Sequence, residues 1–363
     1  MFGDEGWGIN AVVEAQLLAA AGLAGLAVAV GAATCLAADV LGARLRLLDR
    51  PDGARKLHGK ATPLVGGLAV LAALLVAGTA WAVVDGGLPP FAAFAAGPVL
   101  LSFGMGLVDD RRGLSVWLRM TAVAAAVSLV LAAQPGLIVR LLEFGFGDVR
   151  QGLGLAAAPL TVLALLVLQN ALNMADGLDG LAPGIALVWL LLMAPWVIAW
   201  TPQSVPLWAI ATAAVAVVFA FNWPGRLFLG NSGSYGVSVL VGFLAVHVYT
   251  AADGRLPAEL VGIWFGIPAL DLLRLLIVRA RQGRNPFSPD RDHFHHRLQA
   301  AFGARPAVLI YLALIVLPSV FAHAVPAWSP AAIAAPVAVY LVLLRRRERS
   351  ARLAGEAGPG RDG

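Results

Sequence analysis

The chain has 363 residues, of which 60% are hydrophobic and only 13% are charged, with a formal net charge of +5. Soluble domains carry about 25% charged residues, so this composition excludes an ordinary soluble fold and points to a polytopic membrane protein. A pI near 10.0 would suit a nucleic-acid partner, but the placement of the charges argues against one.

A spanning helix needs about 20 apolar residues. Eleven such runs follow one another, near residues 12–37, 64–84, 88–107, 116–134, 155–172, 181–200, 204–222, 233–250, 257–278, 306–325 and 328–344. Backbone groups in lipid must be satisfied internally, so these runs read as helices, and none alternates as the strands of a membrane barrel do. The expected fold is an all-α, polytopic helical bundle. One membrane-embedded domain covers 1–344, and a basic tail, 345–363, is expected to be disordered. The N-terminus, MFGDEGWGIN, is acidic and lacks a basic leader, and the first run is long for a signal peptide; it reads as a retained helix. Cys35, the single cysteine, lies inside that run and reads as a small buried apolar residue.

The connections after runs one, three, five, seven and nine, with the adjoining helix ends and the tail, hold 22 of the 26 Lys and Arg residues. The intervening connections hold Arg140, Arg150 and Arg255, and Arg274 falls within the ninth run. This asymmetry puts the N-terminus outside, the C-terminus in the cytoplasm and an odd number of spans between. The tail RRRERSAR then sits near anionic headgroups.

The same connections hold the unusual polar residues. They read, in chain order, DRPDGARKLHGKATPLVGG (49–67), GLVDDRRGLS (106–115), NALNMADGLDGL (170–181), FLGNSGSYG (228–236) and RARQGRNPFSPDRDHFHHRL (279–298). Topology accounts for the arginines. It does not account for the aspartates, which contribute little to orientation, nor for three histidines within four residues. The loop at 135–154, on the other side, has room for an amphipathic piece but holds no clear chemical constellation.

Adjacent Asp109 and Asp110, just past an apolar run, repel one another and favour a cation; Mg²⁺ fits, and one of the two can instead serve as a general base. A surface Asp–Arg pair is the plainer alternative. Asn170, Asn173 and Asp176 share one helix face by their three-residue spacing. Their amides offer neutral oxygens to a metal and donors to a ligand. Gly177 and Gly180 permit close approach of a ligand to the backbone, and Asp179 projects from the turn. In FLGNSGSYG the backbone N–H groups at a helix start, with Ser232 and Ser234, suit a phosphate. Phe228 serves either the core or a base stack. In the fifth loop five arginines suit diphosphate oxygens, and the H-x-H-H string lacks an obvious fourth zinc ligand. Asp271 and Arg274, three apart, read as an intrahelical pair.

Carboxylates for a divalent cation, a Gly/Ser turn and arginines at one face of a bundle suit a nucleotide-activated donor meeting a lipid acceptor. In these five motifs, in order over residues 49–298, the chain resembles the polyprenyl-phosphate N-acetylhexosamine-1-phosphate transferases. The HFHHRL ending and the eleven spans look like the GlcNAc-phosphate branch rather than the MurNAc-pentapeptide branch. The resemblance implies a Mg²⁺-dependent enzyme (Mn²⁺ as an alternative) of the bacterial inner membrane. It would transfer a sugar-1-phosphate from a UDP-sugar to undecaprenyl phosphate, release UMP, and start a cell-envelope polysaccharide. The sugar, the pathway and the oligomeric state, a homodimer included, stay open.

By family position the catalytic candidates are Asp109, Asp110 and Asp176, with Asp109 the candidate base. Substrate contacts fall on Lys56, Arg119, Asn170, Asp179, Phe228, Arg291, His293, His295 and His296. The metal ligands fall on Asp110, Asn173 and Asn231. Asn231 departs from the family pattern, which places Asp there. The enzyme is then active with weaker metal binding, inactive and limited to binding nucleotide sugar or lipid, or compensated by a neighbouring carboxylate. A transporter of an anionic solute is the rival from another class.

Overall fold

A computed structural model describes residues 5–49, 61–147, 149–285 and 292–356. Thirteen α-helices run among them: α1 (Glu5–Leu36), α2 (Ala38–Leu45), α3 (Gly66–Val84), α4 (Pro90–Arg112), α5 (Val116–Ala133), α6 (Ala157–Ala175), α7 (Leu181–Trp200), α8 (Val205–Asn222), α9 (Gly230–Ala252), α10 (Ala258–Arg281), α11 (Phe294–Phe302), α12 (Ala304–Ala324) and α13 (Ser329–Glu356). Two small antiparallel hairpins complete the set, β1 (Leu48–Asp49) with β2 (Thr62–Pro63), and β3 (Leu141–Glu143) with β4 (Arg150–Gly152). The bundle is all-α apart from these hairpins.

Eleven segments are long and apolar enough to cross a membrane, and they coincide within a few residues with the eleven runs read from the sequence. Many large apolar side chains face outward, among them Leu18, Val83, Trp117, Leu129 and Leu317. In water such a surface would drive aggregation; against lipid tails it has no such cost. The protein is a multi-pass membrane protein. α13 runs on to Glu356, past the expected edge of the membrane domain at residue 344.

α9 is the axis of the bundle. It packs against α3, α4, α6 and α7 and is the most buried of the eleven spans. Its sequence, GNSGSYGVSVLVGFLAVHVYTAA, shows why: small residues crowd its first three turns and let neighbouring backbones close in. The neighbours are cut to match. A Cβ on Gly67 of α3 would lie 2.1 Å from the Gly233 nitrogen, and one on Gly106 of α4 would lie 2.4 Å from the Asn231 carbonyl oxygen. Only glycine fits at those two crossings.

The two ends of the bundle differ. At one end the described parts of the α2–α3, α4–α5, α6–α7, α8–α9 and α10–α11 connections meet. At the other, the β3–β4 hairpin lies over the far ends of α9 and α10. There the Tyr249 hydroxyl accepts the Glu143 N–H (3.1 Å) and donates to the Leu141 carbonyl (3.0 Å). The Glu259 carboxylate accepts the Gly145 N–H (3.0 Å) and the Ser329 hydroxyl (3.0 Å). The loop at 135–154 is thus pinned along β3 and at Gly145 just after it.

Candidate active site

α4 continues to Arg112, so Asp109 and Asp110 stand in its last turns rather than beyond its end. Side chains on adjacent helical residues diverge, and the two carboxylates take different partners. Asp109 accepts the Arg119 guanidinium (2.7 Å) and the Tyr235 hydroxyl (2.8 Å) on Oδ2, and the Leu114 N–H on Oδ1. Arg119 also lies over the Tyr235 ring at 5.1 Å. Asp109 therefore knits α5 and α9 to α4.

Asp110 turns to the start of α9. Its Oδ1 accepts the Asn231 N–H at 2.9 Å and its Oδ2 the Ser232 N–H at 3.0 Å. These are the backbone donors that the sequence reading assigned to a phosphate. The protein caps them itself, because a carboxylate satisfies two orphan N–H groups and complements the helix dipole at once. Ser232 is turned away as well: it is buried, and its hydroxyl donates to the Phe103 carbonyl at 3.1 Å.

α6 ends at Ala175, with Asp176 as its C-terminal cap. One turn earlier, Asn173 Nδ2 donates to Asn231 Oδ1 (2.8 Å) and to Ser234 Oγ (3.0 Å). The third and fourth motifs are thereby joined through an amide pair. Asn170 is not part of that pair; its Nδ2 donates to the Leu166 carbonyl of its own helix at 2.7 Å. Asp176 is half-buried and accepts from the Gly230 N–H. Burial first, then the Asp110 and Asp179 carboxylates, push its pKa up to about 7 against that hydrogen bond.

The turn after α6 is held by a residue that sequence reasoning missed. Asn222, buried at the end of α8, accepts the Gly180 N–H on Oδ1 (2.6 Å) and donates to the Leu227 carbonyl from Nδ2 (2.8 Å). One side chain so ties the Asp176–Gly180 turn to the segment that carries Phe228. Its signal was an amide closing an otherwise apolar run. Gly180, at φ +84, lies against Trp223 and has no room for a side chain. Asp179 is exposed beside Gly225, where a Cβ would lie 3.0 Å from its Oδ2. Phe228 is half-buried and held by its main chain: its N–H donates to the Pro63 carbonyl (2.8 Å) and its carbonyl accepts the Gly66 N–H (3.0 Å). The first motif thus reaches the fourth through β2. Lys56 and Arg291 lie outside the described residues.

The three histidines do three different things. His293 Nδ1 lies 3.3 Å from the Asp271 carboxylate. His295 is buried, with its ring against Gly177 in the turn after α6. Burial first, then the rings of His296 and His293, hold its pKa well below the usual histidine range, so it is neutral. His296 is half-buried, with its ring 4.2 Å from that of His295. Of the three, His296 is the least buried. Asp271 and Arg274 do pair within α10 at 3.0 Å, but Asp271 reaches further, to His293 and the start of α11. Tyr235 was also missed, though it stands within the fourth motif.

Among the described residues no group of three or more His, Cys, Asp or Glu side chains forms a metal cage. The donors present are of another kind: the two amides, Asn173 and Asn231, with Asp110 and Asp176 beside them. Mg²⁺ takes few carboxylates and completes its shell with water and substrate phosphates. This donor set fits such a shared site. The crowding of Asp110, Asp176 and Asp179 also favours a cation there.

An apolar bundle of eleven spans, with acids, amides and histidines gathered at one end, defines a membrane-embedded protein with a polar site open to one side. Residues 92–249 match the family model described as glycosyl transferase family 4. The chain is 33% identical over 286 residues, 76% of each chain, to the undecaprenyl-phosphate alpha-N-acetylglucosaminyl 1-phosphate transferase of Yersinia pestis. It is 32% identical over 304 residues to the protein of the same name from Escherichia coli K12, covering 78% of this chain and 80% of that one. It is also 32% identical over 293 residues, 70% of each chain, to the decaprenyl-phosphate N-acetylglucosaminephosphotransferase of Mycobacterium tuberculosis. The chain belongs to this family of polyprenyl-phosphate sugar-1-phosphate transferases.

Proposed function

We propose that the protein transfers N-acetylglucosamine-1-phosphate from UDP-GlcNAc to undecaprenyl phosphate and releases UMP. The observation that carries this reading is the junction at the start of α9, where Asp110, Asn173, Asp176 and Asn231, from three separate motifs, meet within hydrogen-bonding reach. The names of the relatives support the polyprenyl phosphate acceptor and the N-acetylglucosamine-1-phosphate group; the UDP half of the donor follows from the family resemblance. An oxygen of the lipid phosphate bonds to the β-phosphorus of the donor. The bond from that phosphorus to the bridging oxygen of UMP breaks, and its electron pair leaves with UMP. The lipid phosphate is already an anion, so the step needs no dedicated base; positioning and charge neutralisation do most of the catalysis. That assignment agrees with an Asp109 engaged by Arg119 and Tyr235.

The turn at Asp176–Gly180 and Phe228, tied together by Asn222, forms the wall for the nucleoside, with Asp179 and Phe228 as uracil contacts. Arg119 and His296 face the diphosphate and sugar. Mg²⁺, held by Asn173, Asn231 and Asp110, would neutralise the diphosphate when bound. We infer that the site faces the cytoplasm across a bacterial inner membrane, which the concentration of Lys and Arg at the site end supports. Start of a cell-envelope polysaccharide is the corresponding pathway role.

The test is turnover by the purified protein in detergent with UDP-GlcNAc, undecaprenyl phosphate and Mg²⁺. UMP release with sugar-phosphate on the lipid supports the reading, and a panel of other UDP-sugars checks the donor. Binding of UDP-GlcNAc without transfer would leave a homologue that only binds. Asn231 keeps that second reading in view, and Asn231→Asp resolves it. A restored charge is expected to tighten Mn²⁺ binding about tenfold, measured by electron paramagnetic resonance (EPR), and to raise turnover at limiting Mg²⁺.

A further inference from the structure

The candidate site does not use Asp271, Arg274 or Tyr340, yet they form a connected buried polar network. Asp271 is 5% exposed, in the membrane-spanning part of α10. A carboxylate there is costly unless its lone pairs are filled. They are filled from three elements. Arg274 donates from its own helix (3.0 Å), Tyr340 from α13 (2.9 Å), and the Phe294 N–H from the first turn of α11 (3.2 Å), with His293 Nδ1 at 3.3 Å.

α11 has no side-chain cap of its own. Asp271 supplies one from another helix. Tyr340 is 1% exposed and does two things at once: its hydroxyl joins Asp271 and Arg274 (2.9 Å each), and its ring lies 4.5 Å from that of Phe294. Arg274 also reaches Asp292, by side chain at 3.0 Å and at its carbonyl. A second tie runs from Arg297 of α11 to the Leu344 carbonyl of α13 at 3.1 Å. α11 is thus fastened to both α10 and α13. It carries His295, seated on Gly177, and His296 beside it.

We propose that Asp271, Arg274 and Tyr340 are positioning residues through which α13, the last span, sets the orientation of α11 and so aims His296 at the nucleotide sugar. They touch no substrate. Arg274 turns its donors inward and is not a phosphate ligand. The strut between α13 and α11 stands on the geometry alone; its aim at the nucleotide sugar, and so the kinetic arm, rests on the transferase reading.

The test is Tyr340→Phe, which keeps the ring on Phe294 and removes the hydroxyl. The expected result is a KM for UDP-GlcNAc raised about tenfold, with kcat and the KM for undecaprenyl phosphate within about twofold. Asp271→Asn should act in the same direction. A second measurement does not depend on turnover. A spin label at Gln299→Cys, in a Cys35→Ala background, reports the mobility of α11 by EPR, and Tyr340→Phe should sharpen its spectrum. Unchanged KM with an unchanged spectrum overturns the proposal. So does a parallel fall of kcat and thermal midpoint with both KM values raised alike, which would mark a general support of the fold. If the parent shows no transfer, the spectrum alone decides: a sharpened line supports the strut and an unchanged one removes it.

Discussion

The two ends of the bundle use the same device for different purposes. At the hairpin end, Glu259 accepts a backbone N–H and a serine hydroxyl and pins one loop. At the site end, Asp110 accepts two backbone N–H groups and pins the start of α9. The surroundings differ. Around Glu259 the hydrogen-bonding groups are a neutral N–H and a neutral hydroxyl, and the loop is simply closed. Around Asp110 stand Asp176 and Asp179, and the carboxylates crowd one another. Concentrated like charge is unfavourable in the resting protein, and on the proposed function it becomes useful when a cation and a diphosphate arrive. One end closes a loop; the other, on the proposed function, holds its charges ready for a ligand.

That contrast can be broken at the site end first. Asp110→Asn replaces one of two acceptor oxygens with a donor facing an N–H group. UMP release is expected to fall about a hundredfold or more, with a smaller loss of stability, as measured by turnover and thermal melting in detergent. Gly106→Ala comes next. Its Cβ would meet the Asn231 carbonyl oxygen at 2.4 Å, so α9 must shift. A cost of about 1–3 kcal/mol is expected, visible in the melting curve and accompanied by reduced turnover.

The hairpin end should behave in the opposite way. Glu259→Gln is expected to cost about 1–2 kcal/mol of stability while leaving turnover per folded molecule unchanged; lost turnover would erase the division between the ends. The smallest effect is on pH. Folded His295 resists a proton that the unfolded chain accepts near pH 6.5. Its contribution to stability is therefore whole above about pH 6.5 and is lost as pH falls toward its lower folded value. The thermal midpoint should drop between pH 7 and 5, and His295→Gln should flatten that slope.

The spans were legible because hydropathy over about 20 residues is a local property. The five site loops were legible because polar residues between such runs stand out. What the sequence did not show is who holds whom. Asp110 meets Asn231 and Ser232 more than a hundred residues away, and no periodicity encodes that pairing. The helix-start donors read as a phosphate cradle for that reason. Asn222 and Tyr340 were passed over because a single polar residue at a helix end, or a tyrosine in an apolar run, has many ordinary explanations. The Asp271–Arg274 pair was found because its partners are three apart, and its larger role was hidden because α11 and α13 are not.

α9 is at once the least apolar of the eleven spans and the most enclosed. Its glycines and serines would bind it weakly to a bilayer as a lone segment. The chain order answers this. α3, α4, α6 and α7, the helices that receive it, all precede it. During synthesis the berth is therefore in the membrane before its occupant emerges, and insertion of the eighth span becomes an act of assembly rather than of partitioning into lipid.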